Sequence, residues 1–176
     1  MRIVGGKFAG RDLTSPEQRV RPTAEHVRVA IMTLLGPRLA GARMLDLFAG
    51  SGAVGLEALS RGASKVDFVE SRPGSLHALK ANVVTLRMKD RTRVFIRDAL
   101  EFVTTLKPGS YDIAFADPPY DSKMLDRVVI GWLRAPYSPI LVVEHARAHK
   151  LPKGASKVEL GDSMLTLYEV SAPPTA

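Results

Sequence analysis

The stretch Met44-Leu45-Asp46-Leu47-Phe48-Ala49-Gly50-Ser51-Gly52-Ala53-Val54-Gly55 sets the fold class. A short, mostly apolar strand, Met44 to Phe48, runs into Gly50-x-Gly52-x-x-Gly55, and a helical pattern follows from Gly52 to Arg61. A buried strand that opens through a glycine turn into a helix is the first unit of a parallel α/β sheet, and glycines at the turn let the backbone approach a ligand closely. The next acidic residue at a strand end, Glu70, lies about twenty positions on, where a carboxylate accepts from ribose hydroxyls. This pattern suits NAD and other adenosine cofactors alike, and a tight glycine turn with no ligand has the same letters.

Outward from this unit the alternation continues. Val66 to Val69 precedes a helix over Pro73 to Leu86, and Arg93 to Ile96 precedes one over Asp98 to Leu106. Tyr111 to Ala116 leads to a helix near Ser122 to Leu133, and Ile140 to Val143 is a further strand. Strand and helix in this order, with strands apolar enough for cover on both faces, predict a mainly parallel sheet with right-handed crossovers. Lys157 to Leu160 and Ser163 to Tyr168 flank Gly161-Asp162, a turn pair that predicts a closing antiparallel hairpin. Trp132 falls at helical spacing with Leu125, Val128 and Val129, a core stripe.

Upstream, Thr23 is placed to cap a helix with Val27, Ala30, Ile31 and Leu34 on one face, stopped by Gly36-Pro37. Residues 1–22 hold short β-like pieces, Arg2-Ile3-Val4 and Arg11-Asp12-Leu13, with several basic residues and little apolar content. They read as a basic appendage rather than an independent domain, with partial disorder in the absence of a partner. Residues 23–170 form the main domain in this division, and 171–176 a frayed tail.

The 176 residues carry 25 Lys plus Arg against 18 Asp plus Glu, a net charge of +7, which favours a polyanionic partner. The absence of cysteine excludes disulfide frameworks, thiolate zinc sites, iron–sulfur clusters and cysteine nucleophiles. His26, His77, His145 and His149 lack metal-ligand spacing, so no metal site is expected. No run approaches the ~20 apolar residues needed to cross a bilayer, and the N-terminus lacks the apolar core of a secretory signal. A cytoplasmic protein is expected, with no membrane partner.

Asp117-Pro118-Pro119-Tyr120 follows a strand and so stands at the carboxyl edge of the sheet, where open α/β sheets bind ligands. Two prolines fix φ and withdraw two donors. That leaves the Pro118 carbonyl and the Asp117 carboxylate as acceptors beside the Tyr120 ring. Two acceptors and a stacking face suit an aromatic amine, as on a flipped nucleobase. A rigid turn after a buried strand is the plainer reading of the same residues.

Together, Leu45-Asp46-Leu47-Phe48-Ala49-Gly50-Ser51-Gly52, Glu70, Asp98 and Asp117-Pro118-Pro119-Tyr120 resemble the motifs of class I S-adenosylmethionine-dependent amino-methyltransferases. Arg2-Ile3-Val4-Gly5-Gly6, Gly10-Arg11, Arg21-Pro22-Thr23, Val27-Arg28, Gly55 to Ala63 and Val69-Glu70 narrow the resemblance to the bacterial small-subunit rRNA methyltransferase D family, over Met1 to about Tyr168. The resemblance implies a Rossmann-like fold with a seven-stranded sheet. It also implies methyl transfer from S-adenosylmethionine, leaving S-adenosylhomocysteine, to the exocyclic N2 of guanine 966 in 16S rRNA.

The cofactor set it implies is Asp46, Phe48, Ala49, Gly50, Ser51, Gly52, Glu70, Asp98, Ala99 and Asp117, with Glu70 on the ribose and Asp98 on the adenine amine. Asp98 equally suits the cap of the helix it opens. Asp117, Pro118 and Tyr120 are the expected catalytic residues, and Arg2, Lys7, Arg11, Arg21, Thr23 and Arg28 the expected RNA contacts. Arg87, Lys89, Arg91 and Arg93 form a second basic cluster, a phosphate clamp or a solvated face. The expected partner is 16S rRNA within a small-subunit particle, met by a monomer.

Two positions depart from the family pattern: Arg28 is followed by Val29 where Glu is usual, and Glu70 by Ser71-Arg72 without the frequent acidic residue. Competing readings are a DNA adenine or cytosine amino-methyltransferase, for which no target-recognition domain is visible, and a protein-glutamine methyltransferase, which more usually has Asn at position 117. A non-catalytic RNA-binding or assembly module that keeps the pocket, and an NAD-binding domain, complete the set.

Overall fold

The computed structural model describes residues 1–16, 23–119 and 123–170, and its core is a seven-stranded sheet. The strands are β1 (Arg43–Leu47), β2 (Lys65–Val69), β3 (Thr92–Phe95), β4 (Ile113–Ala116), β5 (Ile140–Ala146), β6 (Ser156–Leu160) and β7 (Ser163–Glu169). Their order is β3-β2-β1-β4-β5-β7-β6. The first five pair in parallel, and β7 runs antiparallel to both β5 and β6. The chain leaves β1 toward β2 and β3 on one side and returns to β4 and β5 on the other. A crevice therefore opens between the carboxyl ends of β1 and β4, the switch point of an open α/β sheet.

The helices are α1 (Glu25–Leu35), α2 (Ala53–Ser60), α3 (Pro73–Thr85), α4 (Ala99–Val103) and α5 (Met124–Arg134). Alternation along the strands divides the core into two layers. Met44, Phe68, Phe115 and Val142 pack with α1, α2 and α3, whereas Leu45, Val69, Ala116 and Val143 pack with α4 and α5. Trp132 is fully buried in the second layer, and its Nε1 donates to the Ser138 carbonyl at 3.0 Å. Truncating such a side chain to alanine costs about 3–5 kcal/mol. No helix among the described residues is long and apolar enough to cross a membrane.

Helix α2 is buried along all eight of its residues, an unusual place for a glycine. Gly55 is required there because a Cβ would meet the side chains of Phe68 and Val66 on β2. The Asp46 carboxylate at the end of β1 accepts from the Gly55 N–H at 3.0 Å, which pins the helix to the strand.

Several local expectations are corrected. β1 ends at Leu47, and Phe48 turns into the left-handed region at φ 59, which is costly for a bulky residue and marks the start of the loop. The cap position of α1 is Ala24 with no side-chain cap, because the Thr23 hydroxyl points to Asp117 instead. The buried face of α1 is Val27, Arg28, Ile31, Met32 and Leu35, rotated from the expected stripe so that Ala30 and Leu34 are only partly buried.

Residues 1–16 are not a loose arm. Arg2 and Asp12 form an antiparallel bridge, Ile3 is fully buried, and Leu13 is 5% exposed. The Glu57 carboxylate accepts from the N–H groups of Val4 and Gly5, both at 2.8 Å. Asn82 on α3 accepts from the Thr14 N–H and donates to the Thr14 and Ser51 carbonyls. Low apolar content is offset here by backbone groups satisfied on buried polar side chains.

Candidate functional site

The crevice at the switch point holds a cavity of about 270 Å³. Three segments build it: Thr23, Ala24 and Val27 at the start of α1, Asp46 and Phe48 to Val54 after β1, and Phe115 to Pro119 after β4. Arg72 and Glu144 complete the wall. The register Leu47↔Ala116↔Val143 brings the ends of β1 and β4 level with Val143 of β5, which runs on to Ala146, so residues far apart in sequence meet at one edge.

Of the expected cofactor residues, Asp46, Phe48, Ala49, Gly50, Ser51 and Asp117 line this cavity. Gly50 adopts φ +57, and no atom lies within 4 Å of where its Cβ would stand, so the loop front is open. The Asp46 side chain is 1% exposed, and burial pushes its carboxyl up to about 8 despite the Gly55 hydrogen bond. A ligand with positive charge would favour its ionised form.

Glu70 stands at the end of β2 but behind Arg72, which forms the wall in its place. The Arg72 guanidinium donates to both Glu70 oxygens at 3.1 and 3.0 Å, and the N–H groups of Gly50, Ser71 and Arg72 donate to the same carboxylate at 2.8, 2.9 and 2.8 Å. Burial alone would raise Glu70, but the Arg72 guanidinium and the backbone donors outweigh it and hold the carboxyl below its ordinary range. The sequence reading missed Arg72; its only signal was the basic residue where the family often has an acid.

Asp98, Ala99 and Gly52 are not on the cavity wall. Asp98 caps α4, accepting from the Glu101 N–H at 3.0 Å, and remains exposed. The capping alternative for Asp98 is therefore what the structure records, and an adenine contact would use the same exposed carboxylate.

On the substrate side, Asp117 is half-buried and Pro118 buried, both on the wall, and the Thr23 hydroxyl lies 3.5 Å from the Asp117 Oδ2. Tyr120 and Arg21 lie outside the described residues. Arg2, Lys7 and Arg11 are exposed on the docked N-terminal segment. Arg28 is a correction: its side chain is 1% exposed, and its guanidinium donates to the carbonyls of Thr23 and Arg2 at 2.6 and 2.7 Å. A group so enclosed does not reach a phosphate, and it ties the appendage to the site instead.

Part of the second basic cluster is similarly committed to the fold. Arg93 pairs with Asp67, and Arg91 donates to the carbonyls of Ser64 and Ala63. Glu144, 5% exposed on the wall, was also missed, because an acid inside an apolar strand has no periodic signal.

The wall is built for a cationic, hydroxyl-bearing ligand. It offers three carboxylates against one guanidinium, an open glycine loop, and a fourth carboxylate behind that guanidinium. These features fit a ligand such as S-adenosylmethionine, whose sulfonium is cationic and whose ribose carries hydroxyls.

Comparison with known proteins agrees with this geometry. The Conserved hypothetical protein 95 family matches residues 1–168. Ribosomal RNA small subunit methyltransferase D of Escherichia coli K12 is 37% identical over 139 residues, covering 76% of this chain and 69% of that protein. Among solved structures, a hypothetical protein of Thermus thermophilus superposes with a TM-score of 0.83 at 32% identity, over 97% of this chain and 99% of that one. An RNA methyltransferase of Salinibacter ruber in complex with S-adenosyl-L-homocysteine gives a TM-score of 0.68 at 14% identity, over 88% of this chain and 98% of that one, a likeness of fold.

Proposed function

The chain belongs to the ribosomal RNA small subunit methyltransferase D family, and from that membership we propose that it transfers a methyl group from S-adenosylmethionine to the exocyclic N2 amine of a guanine in 16S rRNA, the base at position 966. One observation carries the reading: the glycine loop after β1 and Asp117-Pro118 after β4 share a single cavity at the switch point of the sheet. A cofactor pocket and an acceptor pair for an amine are thereby within reach of each other.

S-adenosylmethionine supplies an activated methyl group on its sulfonium and is released as S-adenosylhomocysteine. The residues need only position the two reactants in line, which by itself supplies much of the acceleration. Asp117 and the Pro118 carbonyl accept hydrogen bonds from the guanine amine. Its lone pair is thereby turned out of conjugation with the ring and toward the methyl carbon. The nitrogen–carbon bond forms as the carbon–sulfur bond breaks, and the surplus amine proton leaves through Asp117 to water. Tyr120 is assigned the stacking face on the resemblance alone.

Arg2, Lys7 and Arg11 supply phosphate contacts from the docked N-terminal segment, consistent with the net charge of +7. An rRNA substrate in a small-subunit particle makes this a cytoplasmic enzyme, acting as a monomer without a metal.

The test is incubation with radiolabelled S-adenosylmethionine and 30S subunits from a strain lacking the gene, followed by nuclease digestion and nucleoside mapping. N2-methylguanosine at position 966 is the expected product. Label absent from RNA despite cofactor binding would overturn the assignment.

A further inference from the structure

We propose that Glu144 is the residue that selects guanine: it accepts the ring N1–H of the target base while the adjacent Asp117 holds the exocyclic amine. This rests on the guanine-N2 reading given above and adds a specificity-determining residue to it.

The placement follows from strand register. Ala116, the last residue of β4, pairs with Val143 on β5, so Asp117 and Glu144 occupy equivalent next positions, Glu144 still within β5. Two residues back, Phe115 and Val142 belong to the same core layer, and alternation returns Asp117 and Glu144 to that face. Neighbouring strands lie about 4.7–4.9 Å apart, so the two carboxyl side chains are rooted side by side and can converge on one base edge. Both residues line the cavity, and Thr23, just before α1, approaches Asp117 with its hydroxyl.

The chemistry then discriminates. Beside its 2-amino group guanine carries N1–H, so its edge presents donors in a row. Beside the adenine 6-amino group stands N1, and beside the cytosine 4-amino group stands N3, both acceptors. A carboxylate next to the amine acceptor is matched by guanine and opposed by the other two, because a carboxylate only accepts. Glu144 is 5% exposed, so that mismatch is felt with little screening by water. A carboxylate has about four lone-pair positions, enough to engage the fold and a base together.

The experiment compares small-subunit particles reconstituted with 16S rRNA carrying guanine or 2-aminopurine at the methylated position. 2-Aminopurine keeps the reacting amine and lacks N1–H. Wild-type protein is expected to lose about 10- to 100-fold in kcat/KM on 2-aminopurine, the worth of a charged hydrogen bond. Glu144→Ala is expected to lose a similar factor on guanine and to treat the two bases alike within about threefold. Glu144→Gln, close in shape, provides the comparison if the alanine variant is unstable: its amide accepts from N1–H or donates to the unprotonated N1 of 2-aminopurine, so the wild-type preference should shrink to within about threefold.

A wild type that uses both bases equally would overturn the proposal. So would Glu144 variants that keep the wild-type preference, since a purely structural role lowers both rates together. Methylation of neither particle by the wild type would instead overturn the guanine reading itself.

Discussion

The guanidinium of Arg28 and the carboxylate of Glu57 meet in the interior, Nε to Oε2 at 4.0 Å, with side chains 1% and 0% exposed. Glu57 also holds the Val4 and Gly5 N–H groups, and Arg28 the Thr23 and Arg2 carbonyls, so the pair joins the N-terminal segment to the rim of the cavity. Burial lowers the Arg28 pKa, partly opposed by the charges of Glu57 and Glu25. Arg28→Ala should cost about 2–4 kcal/mol in urea unfolding, because it empties a buried site and leaves the Thr23 and Arg2 carbonyls without their donor, while Glu57 keeps Arg61 at 2.9 Å. Replacing both, Arg28→Met with Glu57→Leu, should cost more than Arg28→Ala alone, because the Val4 and Gly5 N–H groups and Arg61 then lose their acceptor. RNA affinity should stay low in the double variant, since the segment bearing Arg2, Lys7 and Arg11 has lost its anchor; RNA binding at the wild-type level would show the anchor to be dispensable.

Asp46 makes stability fall with rising pH. Its carboxyl, ordinarily near 3.8, is raised by burial to about 8, so between those values the native state holds a proton that the unfolded chain has released. The contribution is full below about pH 4 and is lost as pH rises toward 8, at up to about 1.4 kcal/mol per pH unit. Asp46→Asn keeps an acceptor for Gly55 and does not titrate. Across pH 5 to 8, the melting temperature of wild type should therefore fall relative to that of the variant, and parallel curves would refute the assignment.

If Glu70 holds the cofactor ribose as the resemblance implies, Arg72 competes with the cofactor for it. The guanidinium occupies both carboxylate oxygens, and its side chain is 44% exposed, so the ion pair is worth at most about 1 kcal/mol. Arg72→Ala should tighten S-adenosylhomocysteine binding by up to about fivefold, whereas Glu70→Ala should weaken it, both measured by calorimetry. Weaker binding in Arg72→Ala would mean that the guanidinium serves the ligand rather than displacing it.

If Asp117 holds the target amine as proposed, it separates chemistry from cofactor binding. Asp117→Ala should lower the methylation rate by about 100-fold or more and leave the dissociation constant for S-adenosylhomocysteine within about threefold. Asp117→Asn, which retains one acceptor oxygen, should fall between. Equal losses of rate and cofactor affinity in a filter-binding and single-turnover pair of measurements would contradict the assigned role.

The order of strands and helices, the glycine loop, the hairpin after β5 and the position of Asp117-Pro118-Pro119 at a strand end were all legible in the amino-acid sequence. These are local matters: apolar periodicity and turn chemistry are written within a few residues of each element. Trp132 with Leu125, Val128 and Val129 was legible for the same reason. Arg28 was not, because a basic residue on a helix looks the same whether it meets RNA or a buried glutamate. Its fate was settled by Glu57, an acid on a helix with no exposed face. The strand register that sets Glu144 beside Asp117, the guanidinium in front of Glu70 and the docking of residues 1–16 on α2 emerge only when the chain is folded. Each depends on desolvated polar groups finding partners far away in the chain, and no local pattern records which partner is near enough to offset the cost of burial.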